Sequence, residues 1–246
     1  MKHVIRGVGF GMVAALTCAS AGAYQVEATG AYFDFDDADD SALGVMAEYH
    51  FAPVDDNGVP RAEAGFLRRS SNIGAFYSTF DEADVDMIGF GGEFYIQDFY
   101  AAAGLTRTDF AGTESDDLLV EVGFLPMDGV LLSVSYADAD LADLSTISLN
   151  GKMVRPLSGE SAVNVEASVG QTDDVDDTIS YLLRGDFFVN NDLSLGLSYA
   201  DTDADASEED IGLHARMFVI PTLSVQIDYQ MQEFNDRFVL GVTGRF

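Results

Sequence analysis

The chain ends in Arg237-Phe238-Val239-Leu240-Gly241-Val242-Thr243-Gly244-Arg245-Phe246. Phe238, Leu240, Val242, Gly244 and Phe246 fall on one face. Arg237, Gly241, Thr243 and Arg245 fall on the other, with Val239 the odd apolar member. Successive side chains of a strand point to opposite faces, so this is a strand with one apolar and one mostly polar side. The same period of two runs back through the chain. Leu43, Val45, Ala47, Tyr49 and Phe51 make an apolar face, as do Ile88, Phe90, Gly92, Phe94 and Ile96, and Leu193, Leu195, Leu197 and Tyr199. Each such segment has about 9–11 residues, the length of a tilted strand that crosses a hydrocarbon layer.

The other faces are small or polar. They carry Glu48, Glu93, Glu121, Lys152, Glu166, Arg184, Asp186, His214, Arg216 and Asp228, with Arg237 and Arg245 on the last strand. A soluble sandwich with one wet face could alternate in the same way. The connectors separate the two cases. Residues 34–41, 81–86, 109–117, 137–144, 172–177, 201–210 and 233–236 hold 28 Asp or Glu and no Lys or Arg. Between them lie short, weakly charged connectors such as Gln97-Asp98, Pro126 to Gly129 and Val189 to Asp192. Strict alternation of the two kinds puts every acidic connector at one end of a meander and every tight one at the other. That is the plan of an up-and-down membrane barrel, with short periplasmic turns and longer outer loops. A Greek-key sandwich has no reason to sort its loops by charge.

One connector is irregular. Ala52 to Ser71 contains Pro60-Arg61-Ala62-Glu63-Ala64-Gly65-Phe66-Leu67-Arg68-Arg69. Proline at the start, Glu in the first turn and Arg at the end suit a short helix. Reading it as a strand would place the acidic 81–86 connector at the wrong end. With a helix there, the chain is all-β apart from that one turn: fourteen antiparallel strands, seven acidic loops and both termini at the turn end. Uncertain strand boundaries leave twelve or sixteen strands open. The segment is also the one piece placed to plug the barrel from below.

The N-terminus reads as a leader. Lys2, His3 and Arg6 precede a short apolar run from Val8 to Leu16, and Ala21-Gly22-Ala23 follows as a cleavage site. Removal of residues 1–23 leaves a single domain, 24–246, and takes away Cys18, the only cysteine. No disulfide or thiolate metal site is then expected. No later stretch has about 18 consecutive apolar residues, so no transmembrane helix is expected. The formal net charge of −30 at pH 7 argues against a nucleic-acid partner, which needs clustered Lys and Arg. Tyr32, Tyr77, Tyr136, Tyr199 and Tyr229 lie near acidic loops, and Phe51, Phe94, Phe124, Phe187, Phe218 and Phe246 near tight turns. Two aromatic bands at opposite strand ends match the two girdles of a membrane barrel.

By this pattern, over the whole chain after the leader, the protein resembles bacterial outer-membrane porins. The sharpest part is the terminal strand, where Gly241 and Phe246 stand at the glycine and final aromatic of the signal read by the barrel-assembly machinery. Gly244 departs from it, since an apolar or aromatic residue is usual there. The resemblance implies the outer membrane of a Gram-negative bacterium, with lipid, lipopolysaccharide, small solutes and cations as partners. It also implies assembly as a monomer or a homo-oligomer.

Three kinds of chemistry compete for the polar residues. Alternating acids at Asp34 and Asp36, and at Asp201, Asp203 and Asp205, suit hard cations such as Ca²⁺. Neither run has the glycine and distal Glu of a calcium-hand loop, so a diffuse cation cloud around a solvated loop is the stronger expectation. No metal or other cofactor is expected. Catalysis is not expected either: the chain after the leader holds only His50 and His214, and no Gly-x-Ser-x-Gly motif. A pore remains. Mixed acids and bases on the inward faces can set the transverse field of a channel, and can equally pair across strands to hold the wall. The expected function is passive diffusion of small hydrophilic solutes, with cation preference from the acidic mouth. The alternative is a non-conducting structural or adhesive barrel that presents acidic loops.

Overall fold

A computed structural model describes residues 23–36, 40–140, 144–173, 178–203, 209–232 and 236–246. The expected leader up to residue 22, and Asp205, lie outside the described residues. The alternating segments form strands β1 (Ala23–Phe35), β2 (Asp40–Asp55), β3 (Asn72–Phe80), β4 (Val85–Ile96), β5 (Phe99–Phe110), β6 (Thr113–Met127) and β7 (Val130–Ala139). They continue as β8 (Leu144–Pro156), β9 (Ala162–Asp173), β10 (Ile179–Phe188), β11 (Leu193–Thr202), β12 (Asp210–Ile220), β13 (Leu223–Met231) and β14 (Arg237–Arg245). Each pairs antiparallel with its neighbours in sequence, and β14 pairs with β1, so the sheet closes on itself. The strand number is fourteen, and twelve and sixteen fall away. Closure leaves no open sheet edge, which is the condition for a sheet to sit in lipid.

The outward face is an apolar belt. Ile96 is 70 % exposed, Phe99 65 % and Leu149 63 %. A contiguous patch of this extent is an aggregation surface in water and a solvent-matched surface in a bilayer. That excludes the soluble sandwich. Among the described residues no helix is long and apolar enough to cross a membrane, so strands do the crossing.

The seam is closed by the residues that decide the reading. Glu27 faces Arg245 and Phe35 faces Arg237 across β1 and β14. Phe246 extends the ladder one residue further: its carbonyl accepts from Gln25 N–H at 2.7 Å and Val26 N–H at 3.0 Å. The departure at Gly244 has a local cause. A Cβ there would lie 3.1 Å from Cζ of Phe246, so the terminal ring folds over the glycine.

Two expectations change in detail. The 109–117 segment is not a loop: β5 and β6 run to a two-residue turn at Ala111 and Gly112, both with positive φ (50° and 88°). That is the backbone that keeps a tight hairpin in step with strand twist. Its acids are held on the strands because Arg107 donates to both carboxylate oxygens of Asp116 at 2.7 Å, with Glu114 at 3.4 Å. Phe218 is not in the turn-end girdle. It lies one residue on from outward Met217, so it points inward, 5 % exposed, with the guanidinium groups of Arg216 and Arg245 over its ring. The five girdle tyrosines stand where expected, and each donates to a carboxylate beside it. Tyr32 reaches Asp34 at 3.0 Å, Tyr77 reaches Asp86 at 2.8 Å, Tyr136 reaches Asp138 at 3.2 Å and Tyr199 reaches Asp201 at 3.0 Å, while Tyr229 bonds Asp236.

Candidate pore and its constriction

The inward residues picked from the sequence come together as one charged belt in the turn-end half of the lumen. Register aligns Lys152, Glu166 and Arg184 across β8, β9 and β10. It aligns His214 with Asp228, and Arg216 with Gln226, across β12 and β13. The ammonium of Lys152 sits 3.0 Å from Glu166, and Arg184 sits 2.9 Å from Asp186, itself bonded at 3.1 Å by the amide of Asn164. His214 pairs with Asp228 at 2.7 Å. Glu48, Glu93 and Glu121 stand on β2, β4 and β6, whereas Lys152, Arg184, Arg216 and Arg245 stand on β8, β10, β12 and β14. Acids therefore predominate on one arc and bases on the other, which sets a field across the lumen. Cross-strand pairing stabilises the base-rich arc as well, because a charge without a partner is costly to desolvate.

Toward the acidic end the walls differ in another way. β1 and β3 present Phe33, Phe35, Phe76 and Phe80 inward, and Phe35 stacks on Phe80 with ring centroids 5.6 Å apart. A Cβ on Gly89 would overlap the Phe76 ring, so that ring lies flat on the wall. β8 and β9 present Thr146, Ser148, Asn150, Ser168 and Thr172 instead, with Ser168 donating to Asn150 at 2.6 Å.

The irregular connector folds up into the turn end of the lumen. A 3-10 turn, Arg61–Glu63, leads into α1, Ala64–Leu67. Arg61 donates to Asp192 at 2.6 Å and pairs with Asp56 at 2.7 Å. Glu63 meets Lys152 at 2.8 Å, and the Lys152 ammonium lies 5.0 Å from the centre of the Phe66 ring. Phe66 packs on Tyr100, Leu125 and Leu131. Arg69 donates to Asp98 at 2.8 Å and Asp128 at 2.9 Å, joining two turns. Ser70 shares a hydrogen bond with His50 at 3.0 Å. The segment thus touches the barrel wall on opposite sides. A polar cavity of about 420 Å³ remains beside it, lined by Glu48, His50, Glu93, Lys152, Arg216 and Arg245 among others.

Glu63, Arg61 and Arg69 were the functional residues hidden from sequence reasoning. Their signal was the charge density of an otherwise weakly charged set of turns, but nothing in the order of residues names Lys152, Asp192 or Asp128 as partners. Arg245 is 2 % exposed, holds Glu27 at 3.0 Å and lies over the Tyr24 ring at 4.3 Å.

The acidic runs make no metal centre among the described residues: no three carboxylates or imidazoles converge. Asp34 accepts from Tyr32, Asp201 from Tyr199 and from Thr202 N–H at 2.8 Å, and Asp203 from Ile179 N–H at 2.6 Å. The backbone N–H of Asp36 donates to the carbonyl of Asp236 at 3.1 Å. In the same loop region Asp40 accepts from the N–H groups of Glu82 (2.9 Å) and Ser41 (2.7 Å), which hold its carboxyl below the ordinary range.

The family described as "Putative general bacterial porin" matches residues 1–137. Among solved structures, the outer membrane protein Omp33 of Acinetobacter baumannii is 26% identical, with a TM-score of 0.81 over 92% of this chain and 100% of that one. A mutant of the Rh. blastica porin is 10% identical at a TM-score of 0.53, covering 90% of this chain and 99% of that chain. A KdgM porin solved with disordered oligogalacturonate is 7% identical at 0.51, covering 89% and 99%. These last two show the fold alone. No curated protein sequence matches.

Proposed function

Because the chain belongs to the general bacterial porin family and is an outer-membrane porin barrel, we propose that it passes small hydrophilic cations in preference to anions. The observation that carries this reading is the sorting of charge. Acids crowd the seven connectors at one end, and the lumen below has an arc of Glu48, Glu93 and Glu121 on the side opposite the base-rich arc. A polyanionic mouth over a low-dielectric wall concentrates cations by focusing the field. Lys152, Glu166, Arg184, Asp186, His214, Arg216 and Asp228 then complete the pore lining at the turn end. The acidic end faces the exterior and the turn end the periplasm, as the family plan implies. Gly241 and Phe246 serve as the assembly signal, and residues 1–23 as the leader that is removed. No catalytic step is needed for this transport.

The α1 segment narrows the periplasmic exit, so small conductance is expected. Planar-bilayer recording in a KCl gradient tests the reading. The reversal potential should take the sign of a cation-selective pore, and it should shrink as salt rises and screens the mouth. An anion-selective reversal potential would remove the charge argument. Absence of current from folded protein would favour the structural, loop-presenting barrel instead.

A further inference from the structure

Three side chains on adjacent strands are joined in a chain of hydrogen bonds, of which the transport reading uses His214 and Asp228 only as pore lining. Asp228 Oδ1 lies 2.7 Å from His214 Nδ1, and His214 Nε2 lies 2.9 Å from Ser198 Oγ. The carboxylate can only accept, so Nδ1 carries the proton and Nε2 is free to accept from the serine hydroxyl. Gln226 fixes the second oxygen of Asp228 through its amide at 2.7 Å. His214 and Asp228 side chains are 10 % and 14 % exposed, whereas Ser198 is only half-buried on the lumen face. Gly212, in register opposite Ser198, is required for the contact: a Cβ there would overlap Ser198 Oγ and come within 3.0 Å of His214 Nε2.

We propose that Ser198, His214 and Asp228 form an ester-hydrolysing site inside the channel, a second activity beyond passive transport. Nucleophile, base and orienting carboxylate have the order and atom assignment that acyl transfer demands, and such a constellation is recognised by geometry, whatever fold carries it. Ser198 Oγ attacks the carbonyl carbon of an ester while its proton passes to His214 Nε2. The carbonyl π pair moves onto oxygen. When it returns, the bond to the leaving alkoxide breaks, and the alkoxide takes the proton from His214 and departs as an alcohol. Water then attacks the acyl-serine in the same way, releasing a carboxylic acid and restoring Ser198. Arg184 is the register partner of Ser198 on β10, with two of its guanidinium nitrogens bonded to Asp186, and its cation is assigned to the oxyanion. Asp228 acts as a positioning residue through His214. The substrate class is a small neutral or cationic carboxylic ester, since the acidic mouth disfavours anions.

The test uses full-length protein folded in detergent, with p-nitrophenyl acetate as substrate and diisopropyl fluorophosphate as trap. Burst hydrolysis and a diisopropylphosphoryl adduct confined to the Ser198 peptide, formed with loss of fluoride, are expected. Both should vanish in Ser198→Ala and His214→Ala, with turnover down roughly 10³-fold or more, and Asp228→Asn should depress it at neutral pH because the amide can donate to Nδ1 and moves the proton to Nε2. Retention of the compact, heat-modifiable gel band shows that each variant still folds. Equal hydrolysis by wild type and Ser198→Ala, no adduct, or adducts spread over Ser194, Ser224 and other serines would overturn the proposal and leave the chain of bonds as a cross-strand tie.

Discussion

Replacing Arg69 with alanine raises single-channel conductance. Arg69 spans two turns by reaching Asp98 at 2.8 Å and Asp128 at 2.9 Å, and it also donates to the carbonyl of Gln97 at 2.8 Å. Both acids are well exposed, so each pair is screened and contributes little. The charge-assisted bond to the Gln97 carbonyl carries most of the loss, about 1–2 kcal/mol. A change of 1.4 kcal/mol is tenfold in an equilibrium, so the fraction of molecules with α1 withdrawn should rise roughly tenfold. Arg61 clamps the other side of the segment through Asp192 and Asp56. The double variant Arg61→Ala/Arg69→Ala should therefore spend longer in the large-conductance state than either single one. Unchanged conductance in the double variant would mean that α1 is not the constriction.

Lys152→Met produces the largest loss of stability. Lys152 stands between Glu63 at 2.8 Å and Glu166 at 3.0 Å, and Glu63 is 12 % exposed. Removing the cation leaves two carboxylates facing one another with little water. Breaking a buried pair by deleting one partner costs about 3–5 kcal/mol, and the hydrated lumen places this case toward the lower figure. The damage is to the plug as much as to the wall, because the same ammonium sits on the Phe66 ring. Adding Glu63→Gln to Lys152→Met should recover a large part of the loss, since it removes the uncompensated charge. Thermal unfolding followed by the heat-modifiable gel shift gives the comparison. Equal midpoints for wild type and Lys152→Met would show that the pair is too well solvated to matter.

The outer architecture was legible because lipid imposes one simple rule on it. Every second residue from Leu43 to Phe51, or from Leu193 to Tyr199, must be apolar, so strand number and facing follow from counting by twos. Charge sorting then fixed which connectors share an end. Within a strand, parity is a better guide than proximity to a turn: Phe218 stands near a turn, but inward parity puts it beneath Arg245. Acids in 109–117 looked like a loop because a lone Arg107 cannot be recognised as their partner from composition.

The interior was legible only as a list of charges. Arg61 and Asp192 are 131 residues apart, and Arg69 and Asp128 are 59 apart; contacts of that kind leave no periodic trace. Strand parity requires a non-strand segment at Pro60 to Arg69, and it lies at the turn end, where Arg61–Glu63 and α1 stand. Its insertion into the lumen depends on shape: Phe66 finds an apolar seat on Tyr100, Leu125 and Leu131, which face inward on β5, β6 and β7. The Ser198, His214 and Asp228 chain was hidden in the same way. His214 was singled out, but its neighbours became visible only with the register of β11, β12 and β13.

The route of solutes is the point on which most depends, and a single cysteine tests it. In a Cys18→Ala background, Ser148→Cys on the lumen face of β8 is the one thiol of the chain. A cationic methanethiosulfonate reagent added from the acidic side should react with it, cut the single-channel current sharply and weaken cation selectivity. Complete labelling with the current and its selectivity unchanged would contradict a pathway through the lumen.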